Sequence, residues 1–513
     1  MRRILTASEK CVIIILSKIH KGAKIMKRTL SLILAALILA SVASCGSASG
    51  DEVTTAPDTS SDATTVAESD KFDDELPDKK FDGRTITFGV STASEGDIIA
   101  EEENGDVVND AIVARNRAVE ERFDVKLESY VVSDGLYDWY EKLTTSVLAG
   151  DGICDLAGHY AYYTYKAVQQ GIYQDWNTIP YVDQSKPWWS QEINESATLN
   201  GKLYAITGYL GMSLMDYTTA MFFNQRYLNE YGYEASDLYK LVYDGDWTFD
   251  KFSEIVKTMY KDLNGNGERD DDDFYGYATK SSNAFDNWQA AFDIPISRKT
   301  KDGKIELDVV NEKRISALEK INTFYQTNEG VKYLKNPTAE TSWIWYEHFN
   351  FASGRQTFTP SIFMAANGLY RDMKDTYGIL PMPKWDKDQE GYYANICDRY
   401  AIWGVPMTVT DTEFVGIITE ALACETLKTV YPAYYDVALK NKFSSDEDTA
   451  KMVDIVTSGM QFDMSYMFGE YLENAPYMFR YQVQDGKNDL ASTYAAAESK
   501  INEGLKVIDE LYQ

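Results

Sequence analysis

The sequence predicts an α/β protein of two lobes, each a sheet flanked by helices, and three observations carry that expectation. Residues 84–157 alternate strand-like and helix-like stretches in the order β-α-β-α-β, the pattern of a parallel sheet with helical crossovers. The body from Arg84 to Gln513 is too long for one hydrophobic core. Residues 411–513 look mainly helical.

The chain opens with segments that stand apart from this body. Lys27 and Arg28 are followed by an apolar stretch from Leu30 to Ala40, broken only by Ser31, and by Val42-Ala43-Ser44-Cys45. A basic start, a short apolar run and small residues make a secretory signal. The run is shorter than the roughly 20 residues a helix needs to cross a bilayer. The box of one aliphatic residue, two small residues and Cys resembles the bacterial lipoprotein signal, which implies cleavage of residues 1–44 and lipidation of Cys45. Met26 opens a complete basic start and so reads as the true start, and the earlier apolar run Val12–Leu16 is too short to span a bilayer.

Residues 45–83 read as a lipid-anchored disordered linker. Of the 24 residues in 47–70, 16 are Ser, Thr, Asp or Glu, and none is aromatic or basic. Such a stretch cannot bury enough apolar surface to fold, and as a flexible coil it spans roughly 25–30 Å.

Composition narrows the partners. Removing residues 1–44 takes away eight Lys or Arg and one acid, which deepens the net charge from −30 to −37. That charge disfavours nucleic acid and anionic lipid heads, leaving contact with a membrane through the anchor alone. Cys154, Cys397 and Cys424 show neither CxxC spacing nor a disulfide count, and read as buried thiols.

Within the body, Arg84–Val90 alternates as a strand. Val107–Phe123 is helical, because Val108, Ile112, Val119 and Phe123 share a face. Val125–Val132 is strand-like, Leu136–Leu148 helical, and Gly152–Ala157 a short strand. Farther on, Thr248 is a helix cap for the face of Phe252, Ile255, Val256 and Met259. Asp411–Leu427, Asp446–Met460 and Thr493–Tyr512 complete the helical end.

Five stretches in order then resemble one family: Asp155-Leu156, the run Gly201–Ile206 (GKLYAI), Phe223-Asn224-Gln225 followed by Gly232, Trp247-Thr248-Phe249-Asp250, and Tyr377–Pro383 (YGILPMP). They are similar to the extracellular solute-binding proteins (family 1, sugar-type) of ABC importers, the group that includes maltose-binding proteins. The resemblance covers residues 84–513. It implies a two-lobed periplasmic-binding-protein-like fold of type II, with the ligand held in the interlobe cleft. Lobe 1 would be 84–208 plus about 400–440, and lobe 2 would be 209–399 plus about 441–513. It also implies no enzyme activity, an ABC permease as partner, a monomer, and residence on the outer face of the cell membrane.

The chain has 37 Tyr, 21 Phe and 10 Trp. Sugar rings pack their C–H faces on aromatic rings while their hydroxyls seek polar side chains, so the expected ligand is a carbohydrate, an oligosaccharide by choice. Peptides and polyamines are the alternatives. Candidate contacts are His159 and Tyr160 after the third strand, then Tyr209, Asp216 and Tyr217 beside the crossing. To these, composition adds Trp288, Trp343, Trp345, Arg399 and Trp403. Trp343 and Trp345 share a face only on an extended segment.

Residues 262–273 (DLNGNGERDDDD) match a twelve-residue calcium loop, with oxygen donors at Asp262, Asn264, Asn266, Glu268 (through its carbonyl), Asp270 and Asp273, and the turn glycine at Gly267. The departure is Asp rather than Glu at the last position. A structural Ca2+ is expected there, against the alternative of an Asn-Gly turn in an acidic loop. No organic cofactor is expected.

Two rivals remain at this stage, a secreted glycoside hydrolase and a surface glycan-binding protein without transport. Paired carboxylates would serve hydrolysis, but among 80 acids pairs mean nothing, and no GxSxG or HExxH signature is present.

Overall fold

The computed structural model describes residues 72–92, 94–133, 138–279, 282–333, 346–435 and 447–513. The signal segment, Cys45, the linker up to residue 71, Trp343 and Trp345 lie outside the described residues.

The first sheet has four strands in the order Ala401–Gly404 (β13), Leu156–Tyr160 (β3), Arg84–Ser91 (β1) and Val125–Ser133 (β2). Strand β1 (Arg84–Ser91) runs parallel to β2 (Val125–Ser133) and β3 (Leu156–Tyr160), and β13 (Ala401–Gly404) adds an antiparallel edge to β3. Alternation in β1 puts Ile86, Phe88 and Val90 wholly inside. The helix Val107–Phe123 carries the chain from β1 to β2, with the Asp106 carboxylate accepting the N–H groups of Val108 and Asn109 at its start. Within it Arg115 is fully buried and donates to the carbonyls of Ile98 and Leu210 and to the Thr426 hydroxyl. One guanidinium therefore ties this helix to two distant stretches of chain.

The expected β-α-β-α-β opening is present, with its third strand shifted along the chain. Instead of ending at Ala157, β3 runs to Tyr160. The Asp155 N–H donates to Thr87 at 2.8 Å and its carboxylate accepts the Thr87 N–H at 2.9 Å, which fixes the start, and pairing of Gly158, His159 and Tyr160 with Trp403, Ile402 and Ala401 carries the strand past the expected end. Two glycines permit close approach in this sheet. A Cβ on Gly158 would stand 2.2 Å from the Trp403 ring, and one on Gly89 would stand 2.5 Å from the Cys154 sulfur.

The second sheet orders β11 (Tyr377–Leu380), β4 (Thr219–Asn224), β10 (Gln356–Ile362), β6 (Phe274–Thr279) and β5 (Tyr260–Lys261), with β9 (Val331–Tyr333) also on β6. Strands β4 and β6 are buried along their whole length, as strands covered on both faces must be. The helix Phe249–Val256 packs here, its N–H at Lys251 capped by the Thr248 hydroxyl and its face of Phe252, Ile255 and Val256 inside. Rings of Phe249, Phe252, Tyr277, Trp288 and Phe324 meet one another with centroids 5.0–6.4 Å apart.

Three passes of chain adjoin where the sheets meet. Strands β12 (Ala394–Asn395) and β14 (Met460–Gln461) pair in parallel as a two-stranded ribbon, and Thr218 bridges Ile396. The closing helices are Thr412–Glu425, capped by Asp411, then Glu447–Ser458 and Leu490–Leu511. Among the described residues no helix is long and apolar enough to cross a membrane.

Candidate functional site

A cavity of about 370 Å³ opens where the two sheets and the ribbon come together. The first sheet contributes Tyr160 at the carboxyl end of β3, followed by Tyr162 and Tyr163 at the start of the helix Ala161–Val168. The second contributes Thr219 at the start of β4 and Pro360 to Ile362 at the end of β10. Asn395 to Arg399 line it from the chain that leads out of the ribbon, and Tyr466, Tyr477 and Arg480 from the C-terminal stretch. Carboxyl ends of strands at the edge of an open α/β sheet are where such folds place their ligands.

Among the described residues, seven tyrosines and one phenylalanine line the cavity and no tryptophan does. Tyr160 and Tyr217 face each other with hydroxyls 3.3 Å apart. Burial pushes the Tyr217 hydroxyl's proton affinity up, keeping it a neutral donor. Tyr481, 48% exposed, stands at the mouth.

The charges differ in how far they are committed. Arg480 is held in a buried ion pair with Asp286 and lies over the Tyr477 ring. Burial pushes the Asp286 carboxyl up while the guanidinium against it opposes that shift. Asp463 accepts the N–H groups of Ile296, Ser297 and Ser465, so its carboxylate is a structural clamp. Arg399 is half-buried and forms no ion pair among the described residues, and among those residues the Asp398 carboxylate beside it accepts from the Cys397 thiol at 3.5 Å. Arg399 and Asp398 are thus the charged pair left to meet a ligand. His348 touches the cavity through its contact with Ser361 at 3.3 Å, and burial lowers its pKa to about 3, which keeps it neutral.

Of the expected contact residues, Tyr160, Tyr217 and Arg399 come together on this cavity. His159 lies one layer beneath. It is fully buried, bonded to the Ser91 hydroxyl at 2.9 Å, and stacked on Tyr160 and Tyr163 within 17° of parallel, so it sets the tilt of two lining rings. Trp288 and Trp403 are core residues, 0% and 1% exposed, with their indole N–H and ring edge spent on Tyr325 and Phe88 respectively. Tyr209 packs edge-on against Tyr431 and Asp216 accepts from the Tyr434 hydroxyl at 2.6 Å, both off the lining. Cys154 and Cys424 are buried as expected, whereas Cys397 is half-buried in the cavity wall.

Sequence reasoning missed Tyr162, Tyr163, Asp286, Tyr466, Tyr477 and Arg480. The run YAYYTY over residues 160–165 was the one available signal, since it sets aromatic residues on both flanks of a helix start.

In the acidic loop, the Asp262 carboxylate accepts the N–H groups of Gly265 and Gly267, at 2.6 and 2.9 Å. Gly267 sits at φ 76°, in the left-handed region. The amides of Asn264 and Asn266 converge on Asp270 at 3.0 and 2.6 Å, and Asn266 accepts the Glu268 N–H. Asp273 is 1% exposed and accepts from Leu263 N–H and the Tyr260 hydroxyl. Among the described residues no three His, Cys, Asp or Glu side chains gather as a metal site.

No known family description and no curated protein matches the sequence. Solved structures do match. UgpB from Mycobacterium tuberculosis, solved with glycerophosphocholine, superposes with a TM-score of 0.54 at 12% identity, over 83% of this chain and 98% of its own. A cyclic α-maltosyl-1,6-maltose binding protein from Arthrobacter globiformis gives 0.53 at 14%, over 83% and 99%. An ABC substrate-binding protein from Listeria monocytogenes, in complex with cycloalternan, gives 0.52 at 14%, over 83% and 100%. With its two sheets, its paired crossing strands and a cavity at their junction, the chain has the α/β fold of the two-lobed solute-binding proteins of ABC transporters.

Proposed function

We propose that this protein is a lipid-anchored extracellular receptor that captures a carbohydrate, an oligosaccharide by preference, and hands it unchanged to an ABC permease. The observation that carries the reading is the lining of the cavity, seven tyrosines interleaved with Arg399, Asp398, Asn287 and Asn395. Flat rings suit the C–H faces of sugars, and the charged and amide groups between them suit hydroxyls. The volume is within the range of small-molecule sites. Of the similar structures, one is in complex with cycloalternan, one with maltotetraose, and one is named as a cyclic α-maltosyl-1,6-maltose binding protein. Lobe 1 would be built on the sheet of β1, β2, β3 and β13, lobe 2 on that of β4, β6, β10 and β11, with Cys45 carrying the anchor.

Titration calorimetry with linear and cyclic glucans, acidic oligosaccharides, short peptides and spermidine tests this, with chromatography of the ligand afterwards. Saturable binding of a glycan recovered intact is expected. Arg399→Ala should weaken it roughly ten- to a hundredfold, the scale of about 1.5–3 kcal/mol for a hydrogen bond to a charged group. Binding of spermidine alone transfers the reading to polyamines, and a shortened glycan transfers it to hydrolysis.

A further inference from the structure

The hydroxyls of the tyrosines that line the cavity differ in where they are bound. Those of Tyr160 and Tyr217 meet each other, the Tyr466 hydroxyl accepts from the Gln289 amide at 3.0 Å, and the Tyr477 hydroxyl donates to the Tyr466 carbonyl at 3.3 Å. Tyr162 is tied to a charge. Its hydroxyl donates at 3.1 Å to the carboxylate of Glu470, which does not line the cavity. The Lys166 ammonium, also off the lining, donates to the same carboxylate at 2.8 Å.

Three further contacts hold Tyr162. Its backbone N–H donates to the Asp398 carbonyl at 3.5 Å, which sets it beside the charged pair Asp398 and Arg399. The Lys166 ammonium stands 5.1 Å from its ring centroid, within the reach of a cation–π contact. The Tyr163 ring meets it at 84°, with centroids 5.3 Å apart. With the polar tip spent on Glu470, what Tyr162 offers the cavity is its ring.

Glu470 is itself exposed, but the stretch that carries it is seated on both sides of the cavity. Toward the second sheet, Asp463 accepts the N–H groups of Ile296 and Ser297, and Arg480 pairs with Asp286. Toward the first, the Gln169 amide donates to the Met467 carbonyl at 3.2 Å, and the wholly buried Phe468 packs its ring edge-on to that of Tyr165, with centroids 6.0 Å apart. Two residues past Phe468, the Glu470 backbone is therefore fixed in place. An exposed ion pair such as Lys166 with Glu470 adds little to stability. It can still order a ring, and a side chain ordered beforehand spares the entropy that ligand binding would otherwise remove.

We propose that Glu470 is a positioning residue of the ligand site, which binds the Tyr162 hydroxyl outside the cavity and so holds the ring as a preformed stacking platform for a sugar beside Asp398 and Arg399. This rests on the reading of the cavity as a glycan site. The test is titration calorimetry of the purified protein with maltotetraose, cellotetraose, α-cyclodextrin and trigalacturonic acid, carried out on the parent and its variants. Glu470→Ala should weaken the glycan that the parent binds about three- to tenfold, with the thermal midpoint unchanged. Glu470→Gln keeps an acceptor for the hydroxyl and should restore most of the loss. Tyr162→Phe keeps the ring and loses the tether, so it should match Glu470→Ala, and the two together should cost no more than either alone. Three results overturn the assignment and leave the receptor standing: binding that Glu470→Ala does not change, a loss that Glu470→Gln fails to restore, or a loss just as large when Glu470→Ala is made in the Tyr162→Phe background. A parent protein that binds none of the four glycans overturns both.

Discussion

Asp216, a candidate ligand contact by its place in the sequence, lies off the cavity lining. Sequence position suggested a ligand contact, but its carboxylate accepts the Tyr434 hydroxyl, and desolvation raises its pKa to about 7 from 3.8. Asp97, whose carboxylate pushes Asp216 further up, is itself raised by burial to about 6. A carboxyl with a raised pKa keeps its proton longer in the folded chain than in the unfolded one. Between about pH 4 and pH 7 the folded state therefore binds more protons, and the stability these groups contribute falls as pH rises through that window. Glu420, raised to about 7 despite the N–H groups of Trp188 and Trp189, acts with the same sign. Asp216→Asn removes one of the three titrations, so urea denaturation from pH 4 to pH 8 should show a shallower fall and a variant more stable than the parent at pH 7. An unchanged slope would place the Asp216 pKa near its ordinary value. The same limit on sequence reading explains the tryptophans. Composition says that aromatic rings are plentiful, yet only a three-dimensional neighbour such as Phe88 or Tyr325 tells that Trp403 and Trp288 are core, while tyrosine, with its polar tip, is left to line the cavity.

At the scale of elements, periodicity was a good guide wherever one face is buried. The helix Val107–Phe123 and the cap at Thr248 stand where spacing put them, because 3.6-residue repetition and a hydroxyl before an apolar run are local properties. The end of β3 was not legible, since the residues past Ala157 are held by pairing with β13, whose Ala401–Trp403 lie about 240 residues farther along the chain. That difference matters to the site, because it moves His159 into the sheet and leaves Tyr160 at its edge. The acidic loop is the opposite case, with spacing clear and occupancy open. A structural calcium there remains our proposal, carried by that spacing and by the convergence of Asn264 and Asn266 on Asp270. Calcium titrated into the metal-free protein should give saturable heat, and a hundredfold excess over the dissociation constant should add about 2.7 kcal/mol of stability. Replacing Asp262 and Asn264 together by alanine should remove both signals. No heat from the parent protein would mean that the loop's oxygens stay with its own N–H groups.

For the whole molecule, the decisive feature is that the cavity takes its walls from both sheets, Tyr160 from the first and Thr219, Ser361 and Ile362 from the second, with the ribbon of β12 and β14 and the Thr218–Ile396 bridge beside it. A ligand touching both walls gains contacts when they approach, and it shifts the equilibrium between open and closed forms only by its difference in affinity for the two. Moving a population from 1:99 to 99:1 takes a difference of about 5.5 kcal/mol, which a handful of hydrogen bonds and ring contacts made only in the closed form can supply. Small-angle scattering should therefore show a smaller radius of gyration once the glycan found by calorimetry saturates the protein. Arg399→Ala should need more ligand to reach the same compact end point, because the residue contributes affinity without carrying the joint itself. Scattering that stays constant at full saturation would identify a rigid groove. In that event the proposed hand-over to a permease would have to rest on the bound ligand rather than on the shape of the protein around it.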